Sequence, residues 1–243
     1  MLRSVNSLIG YSITVSEGKF GEVSEFAFDS TTWTLRYLVV ESGRWLSGRI
    51  FLISPAALGN LDWPMQTFLV NLTMEQIRTS PEIAMEKPVT RQLETELFNH
   101  YHWPAYWTSK EITESTDHSP PQPSADDLHL CDTHTTFGIH AVDGEIGHVE
   151  DYIVNTDNWS LNFLVVRTAN WLPGKKVLIS PQLINHLDYA NKTLYVNLTK
   201  EAVENSLEFD PTRLVNTLYE AHLYDYYGRP KMEPAARSKL FGF

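Results

Sequence analysis

The sequence contains a single cysteine, Cys131, among its 243 residues. One cysteine excludes an intramolecular disulfide and favours a reducing compartment. No apolar run approaches the roughly 20 residues that a membrane-spanning helix needs. The N-terminal stretch also lacks the apolar core and small-residue cleavage pattern of a secretory signal. We therefore expect a soluble, cytoplasmic protein without a transmembrane segment.

Positive charge is scarce. The chain carries 19 Lys and Arg residues against 30 Asp and Glu residues, for a formal net charge of −11. Proteins that bind nucleic acids or anionic membranes in general need a basic surface, so neither partner is expected. Hydrophobic residues make up 42% of the chain and aromatic residues 12%, which predicts packed cores rather than disorder.

Catalytic motifs are missing as well. The sequence has no G-x-S-x-G elbow, no S-x-x-K in a suitable context and no phosphate-binding glycine loop. Its carboxylates are numerous, but no pair stands at active-site spacing. We predict that the protein is not an enzyme and binds no cofactor.

A short segment with potential metal ligands follows the middle of the chain. The string "HLCDTH" places His129, Cys131 and His134 close together. No second CxxC or HxxxH completes a set of four ligands, and the first half of the chain has no counterpart. We interpret these residues as incidental and predict no metal site.

What the sequence does contain is an internal repeat. "WTLRYLVVESGRWLSGRIFLISP", beginning at Trp33, matches "WSLNFLVVRTANWLPGKKVLISP", beginning at Trp159, at an offset of 126 positions. The same offset aligns "VNLT" at 70–73 with "VNLT" at 196–199, and no gap is needed from 16 to about 80. Two such long units indicate a duplicated domain rather than a stacked array of short repeats.

The two copies are separated by a polar, acidic and proline-rich segment, which is typical of a flexible linker. This composition predicts one domain over 1–107, a linker over 108–128, a second domain over 129–230 and a tail over 231–243.

The sequence pattern of each copy predicts strands followed by helices. In "LRYLVVE", Leu35, Tyr37 and Val39 share one face at period two, and Leu38 and Val40 make the opposite face apolar too. Such a strand is expected to be covered on both sides. "LNFLVVR" repeats the pattern in the second copy. We also predict that Trp33 and Trp159 are core residues whose replacement by alanine costs about 3–5 kcal/mol each.

Local signals define the hairpins and helices. Asp143-Gly144 predicts a two-residue hairpin, and Glu17-Gly18 holds the same place in the first copy. Thr73 and Thr199 are expected to cap short helices, with Asn71 and Asn197 as alternatives. "PVTRQLETELFNHY" predicts a second helix, and the aromatic run that follows it to Trp107 is expected to pack back on the structure.

These motifs resemble a known family. The run "DGEIGHVEDYIV", followed in order by a tryptophan, "FLVV", "WLPG" and "LISP", is similar to the PRC-barrel domain of the photosynthetic reaction-centre H subunit and of the ribosome maturation factor RimM. The resemblance covers both copies, most strongly over 8–80 and 136–206. It implies a mainly β fold of two small PRC-barrel-like barrels, each followed by one or two short helices. It also implies docking onto other proteins, although the additional segments of those two relatives have no counterpart here.

Two loops are candidates for protein binding. "RWLSGR" and "NWLPGKK" each place a tryptophan beside cations, as in interface anchors. The alternative is that each ring folds back onto the barrel mouth. The candidate residues are Arg44, Trp45, Trp171 and Lys175.

A second set of residues is a candidate for contact between the copies. A gap-free duplication commonly preserves an ancestral homodimer around a two-fold axis. Matched positions near that axis should then have complementary charges, and independent drift on solvated surfaces is the alternative. The candidates are Leu38, Val40, Glu41, Leu164, Val166 and Arg167. Among them, Glu41 and Arg167 occupy matched positions and carry opposite charges.

The sequence thus favours a non-enzymatic protein-binding or assembly adaptor whose two copies form an internal pseudo-dimer. A homodimer of the whole chain is left open, and the protein partner is unknown. The alternative is a small-ligand or metal-responsive stress module that binds in the cleft between the barrels.

Overall fold

The computed structural model describes residues 1–43, 48–83, 89–107, 130–168, 174–212, 215 and 217–227. The chain forms two compact units. The N-unit comprises Val5–Thr135, and the C-unit comprises Met1–Ser4 with Thr136–Phe243. Both are mainly β with a few short helices, as the sequence predicts.

The first strand of the chain, β1 (Leu2–Ser4), belongs to the C-unit. The described strands of the N-unit pair in the order β6-β7-β2-β3-β4-β5, with β8 also on β3, and among them only β2 and β7 run parallel. Its elements are β2 (Ser12–Val15), β3 (Gly18–Asp29), β4 (Thr34–Glu41), β5 (Ile50–Ile53), β6 (Leu58–Asp62), β7 (Thr67–Val70), α1 (Met74–Arg78), α2 (Arg91–Tyr101) and β8 (Leu130–Asp132).

In the described part of the C-unit the strands pair in the order β13-β14-β9-β10-β11-β12, with β1 also on β10, and β14 and β9 are the only parallel pair there. Its other elements are β9 (Gly138–Ala141), β10 (Gly144–Asn155), β11 (Ser160–Thr168), β12 (Lys176–Ile179), β13 (Ile184–Asp188), β14 (Thr193–Val196), α3 (Lys200–Glu204) and α4 (Thr217–Tyr226).

The order of elements is the same in both units. The long strands β3 and β10 each have 12 residues, and buried and exposed positions follow one another identically along them. Among the described residues the strand ladder of each unit is open, because no pairing joins β5 to β6 or β12 to β13. The closed barrels implied by the family resemblance are therefore not seen in the strand pairing.

The leading strands are exchanged between the copies. β1 precedes the first copy in sequence yet pairs with β10, whereas β8 precedes the second copy and pairs with β3. The registers match, since Ser4 lies opposite Ile153 and Asp132 lies opposite Ala27, which is the residue equivalent to Ile153. Each unit is thus completed by the strand that precedes the other copy. The bounds of the units differ from 1–107 and 129–230 for this reason.

Both predicted hairpins are confirmed. Gly18 and Gly144 follow two-residue loops with φ angles of 135° and 133°, which glycine adopts at low cost. The loop acids also hold the short helices. Glu17 Oε1 accepts from the Met74 amide at 3.3 Å, and Asp143 Oδ1 accepts from the Lys200 amide at 2.8 Å.

The helix caps are confirmed too. Thr73 and Thr199 cap α1 and α3, and Thr73 forms a reciprocal capping box with Gln76. Thr90 caps α2, where its hydroxyl accepts from the Leu93 amide at 3.2 Å. These interactions satisfy amides that the first turn of a helix leaves without partners.

Strand β4 is covered on both sides, as its apolar alternation predicts. The five residues concerned are all buried: Leu35, Tyr37, Leu38, Val39 and Val40. In the C-unit, the core also includes Ile153, Phe163, Val165, Leu178, Phe209 and Leu223.

The prediction that Trp33 and Trp159 are core residues is wrong. Both are only partly buried and lie in turns before β4 and β11, with φ angles of 51° and 58°. In each turn the tryptophan adopts the left-handed conformation. The Trp33 ring stacks on Phe28 with ring centroids 5.4 Å apart. We therefore expect a smaller loss than a core tryptophan would give.

Candidate functional site

A buried carboxylate organises one face of the N-unit. Glu94, on α2, has no exposed surface. Its Oε1 accepts from the Tyr37 hydroxyl at 2.6 Å and from the Tyr106 hydroxyl at 2.8 Å. Its Oε2 accepts from Arg91 Nη1 at 2.5 Å. These side chains form the Glu94 cluster, which joins β4, α2 and the segment after α2.

Local structure brings the members of the Glu94 cluster together. Arg91 and Glu94 are three positions apart on α2, so their side chains lie on the same side of the helix. The helix ends at His102, which adopts a left-handed conformation, and the Trp103 amide donates to the Phe98 carbonyl at 3.0 Å. This reversal returns Tyr106 to Glu94.

A second arginine, Arg36 on β4, contacts the Tyr106 ring of the cluster. The Arg36 guanidinium lies 3.8 Å from the centre of the Tyr106 ring, and Arg36 Nη2 lies 3.1 Å from Asp29 Oδ2. Burial raises the pKa of Asp29, but hydrogen bonds from Thr32 and Arg36 outweigh it, so the pKa lies below its ordinary value. Asp29 therefore stays ionised and holds Arg36 against the ring.

The two tyrosine hydroxyls of the Glu94 cluster keep their protons. Burial raises the pKa of Glu94, and the hydroxyls of Tyr37 and Tyr106 and the charge of Arg91 act against that rise. Burial and the neighbouring Glu94 raise the pKa values of Tyr37 and Tyr106, so both hydroxyls remain donors. Because Glu94 has no exposed atom and its bonds are met by protein donors, it is suited to fixing α2 rather than to exchanging protons with a substrate.

The sequence offered a signal for this cluster that motif searches do not use. Glu94, Leu97 and Tyr101 lie at i, i+3 and i+7, and all three are buried. A charged residue at a position on the apolar side of a predicted helix requires partners. The aromatic rings after α2 pack as predicted, since Trp103 stacks on Tyr101 and Trp107 contacts Phe98.

Three of the predicted binding residues, Arg44, Trp45 and Trp171, lie outside the described residues. Lys175 is described, and its Nζ donates to the carbonyls of Glu204 and Ser206, the latter at 2.8 Å. This cation therefore lies at the C-terminal end of α3, where helix carbonyls attract positive charge. Its matched residue does the same in the N-unit.

That matched residue is Arg49. Its guanidinium donates to the carbonyls of Arg78 and Ser80, each at 3.1 Å, just after α1. The shared contact gives both cations a role inside their own units. Their place beside a tryptophan in the sequence therefore does not require a partner.

The candidates for contact between the copies divide into two groups. The four apolar side chains, Leu38, Val40, Leu164 and Val166, are fully buried. Glu41 and Arg167 are exposed, and Arg167 Nη1 lies 3.9 Å from Glu150 Oε1 inside the C-unit. Complementarity of Glu41 and Arg167 stays a prediction.

The potential metal ligands that we interpreted as incidental from the sequence are only partly described. His129 and the side chain of Cys131 lie outside the described residues, and His134 is exposed. Among the residues that the structure describes, no group of three or more His, Cys, Asp or Glu side chains could hold a metal ion.

An aromatic row lies on the exposed face of the C-unit sheet. Tyr195, on β14, is 39% exposed and pairs in register with His186 on β13 and His140 on β9. The Tyr195 ring lies 5.8 Å from the ring of His186 and 5.6 Å from that of His140. We call these three side chains the Tyr195 row. In the N-unit the position of Tyr195 is taken by Leu69, which is 42% exposed.

No model of a known protein family matches this chain, and no curated protein matches its sequence. Within the described ranges, no helix is both long and apolar enough to cross a membrane.

Proposed function

We propose that this protein is a non-enzymatic protein-binding or assembly adaptor built from two PRC-barrel-like domains. The ordered set of turn glycines, tryptophans and "LISP" strand ends in both copies supports the family assignment. The shared order of strands and the identical burial along β3 and β10 support an origin by duplication. The two-barrel description is part of this proposal.

The observation that carries the proposal is the Tyr195 row. Its three rings stand side by side on three paired strands, where they offer an aromatic surface with polar edges. Tyrosine is enriched at protein interfaces because it buries a large area at low entropic cost and also donates a hydrogen bond. A surface of this kind suits a protein partner.

The Glu94 cluster also supports a non-enzymatic role. Its carboxylate is closed to solvent and saturated with donors, so it provides no reactive group to a substrate. The cluster would stabilise the N-unit while exposed strands make the contacts.

The test is capture of stoichiometric protein partners by the immobilised full-length chain from a native lysate. We expect Tyr195→Ser to abolish capture of a reproducible partner, while the matched variant Leu69→Ser in the N-unit retains it. Folding of each variant is checked by circular dichroism. Equal capture by wild type and Tyr195→Ser would refute a role for the row. A metal or metabolite that co-purifies without any protein would instead favour the ligand-responsive alternative.

A further inference from the structure

Two short strands are exchanged between the copies, and the backbone ladder that holds them is the same in both units. β1 pairs three residues with β10, and β8 pairs three residues with β3 in the matching register. Backbone groups alone do not distinguish β1 from β8, because every strand offers the same amides and carbonyls. The side chains that contact each receiving strand differ between the units, and they provide the distinction.

The edge of β3 in the N-unit needs an acceptor for one amide, and the chain just after β8 supplies it. Phe26, on β3, is fully buried. Its amide donates to Thr133 Oγ1 at 3.3 Å, and the Thr133 amide donates back to the Phe26 carbonyl at 2.9 Å. Val5 follows β1 as Thr133 follows β8, but its side chain has no oxygen. β1 on this edge would leave the Phe26 amide without that acceptor, and an unsatisfied buried amide is costly.

The edge of β10 in the C-unit supplies the corresponding acceptor itself. Tyr152 occupies the position of Phe26, and its amide donates to Asp151 Oδ1 at 2.7 Å. The other oxygen of this carboxylate, Asp151 Oδ2, accepts from the Ser4 hydroxyl on β1. β8 on this edge would place Asp132 at the register position of Ser4. An ionised aspartate has no hydrogen to donate, so the Asp151 carboxylate would lose this bond.

We propose that the two edges are selective strand-binding sites, each of which recognises its strand through one hydroxyl group. The C-unit edge binds a strand that ends in a hydroxyl donor, because Asp151 accepts from it. The N-unit edge binds a strand that is followed by a hydroxyl acceptor, because the Phe26 amide donates to it. Each edge therefore favours the strand it holds over the strand that the other edge holds. Neither site involves the Tyr195 row or a partner that binds there.

Hydrogen exchange resolved to single amides tests the N-unit edge on the full chain at constant pH. The amide of residue 133 reports the attachment of β8. Thr133→Val gives β8 the side chain that follows β1 and removes the acceptor with little change of shape. We expect protection at residue 133 to fall about tenfold or more, since the buried Phe26 amide loses its partner. Thr133→Ser keeps the hydroxyl and should keep protection close to that of the wild type.

The same measurement tests the C-unit edge. The Thr156 amide, which donates to the Met1 carbonyl at 2.9 Å, reports the attachment of β1. Ser4→Asp gives β1 the side chain of β8 and should lower protection at Thr156 by about fivefold or more, as should Ser4→Ala, because Asp151 loses its donor. Ser4→Thr keeps the hydroxyl and should retain most of the protection. In an Asp151→Ala background, Ser4→Ala should have almost no further effect, which assigns the loss to this contact.

The amides of β4 and β11 are the reference within each unit. If they keep wild-type protection while residue 133 or Thr156 loses it, the strand has detached from a folded unit, as the proposal requires. An equal fall in β4 or β11 would mean that the whole unit unfolds and would count against selective binding. Equal protection in Thr133→Val and Thr133→Ser, wild-type protection in Ser4→Asp, or additive effects of Ser4→Ala and Asp151→Ala would overturn the proposal.

Discussion

The N-unit encloses a carboxylate in its core, whereas the C-unit leaves the equivalent carboxylate partly exposed. Glu94 corresponds to Glu220, which accepts from Asn162 Nδ2 at 3.3 Å. Tyr37, which donates to Glu94, corresponds to Phe163, a buried residue without a hydroxyl. The same order of strands therefore encloses a carboxylate and its tyrosine donor in one unit, whereas the other unit has a phenylalanine in place of that tyrosine.

The difference shows that a buried charge is kept or lost together with its partners. Arg36, which lies over Tyr106 in the N-unit, corresponds to Asn162 in the C-unit, so the C-unit has neither the hydroxyl of Tyr37 nor the cation of Arg36 at the matched positions. Without those partners a fully buried Glu220 would pay a large desolvation penalty. Partial exposure avoids this penalty and leaves the surrounding strands unchanged.

The largest expected effect comes from the matched carboxylates. Glu94→Ala leaves two hydroxyls and Arg91 without their acceptor and should lower the free energy of unfolding of the N-unit by about 3–5 kcal/mol. Glu220→Ala should cost the C-unit less, about 1 kcal/mol, because Glu220 is partly exposed and water can replace its bond from Asn162. Hydrogen exchange of β4 and β11 amides in increasing urea reports the two units separately. Equal losses of unfolding free energy in the two variants would contradict the difference between the two carboxylates.

A smaller effect is expected from copying the C-unit residue into the N-unit. Tyr37→Phe removes a single hydroxyl and should cost about 1–3 kcal/mol, because Glu94 loses a donor while buried. The same exchange measurement on β4 gives the value. Asn162→Ala in the C-unit, which removes a donor to the partly exposed Glu220, serves as a control and should cost less. A neutral Tyr37→Phe would mean that the bond between Tyr37 and Glu94 contributes nothing.

The smallest effect should be the same in both units. Arg49→Ala and Lys175→Ala each remove a cation that donates to two carbonyls just after a short helix, and each should cost about 1 kcal/mol. Urea unfolding measures both. The conservative variants Arg49→Lys and Lys175→Arg should recover most of the loss. If Lys175→Ala were neutral while Arg49→Ala destabilised, the shared role would fail.

Features encoded by neighbouring residues could be predicted from the sequence. Two-residue loops before Gly18 and Gly144, and the caps at Thr73 and Thr199, depend on residues a few positions apart. Burial of both faces of β4 followed equally from its local apolar pattern.

Features that depend on distant residues could not be predicted in this way. The exchange of β1 and β8 depends on pairing with strands more than 100 positions away, and the sequence of three residues does not specify which copy receives them. The burial of Glu94 depends on Tyr37 and Tyr106, which approach it only after folding. Trp33 shows the opposite error, since its large ring suggested a core position where the backbone required a turn.

In our proposal the Glu94 cluster stabilises the N-unit, while the Tyr195 row makes the functional contact. Partner capture by Tyr37→Phe and Tyr195→Ser, measured side by side under conditions in which both remain folded, separates these two roles. We expect Tyr37→Phe to capture as much partner as the wild type and Tyr195→Ser to capture none. Loss of capture in Tyr37→Phe with full capture by Tyr195→Ser would contradict the proposal.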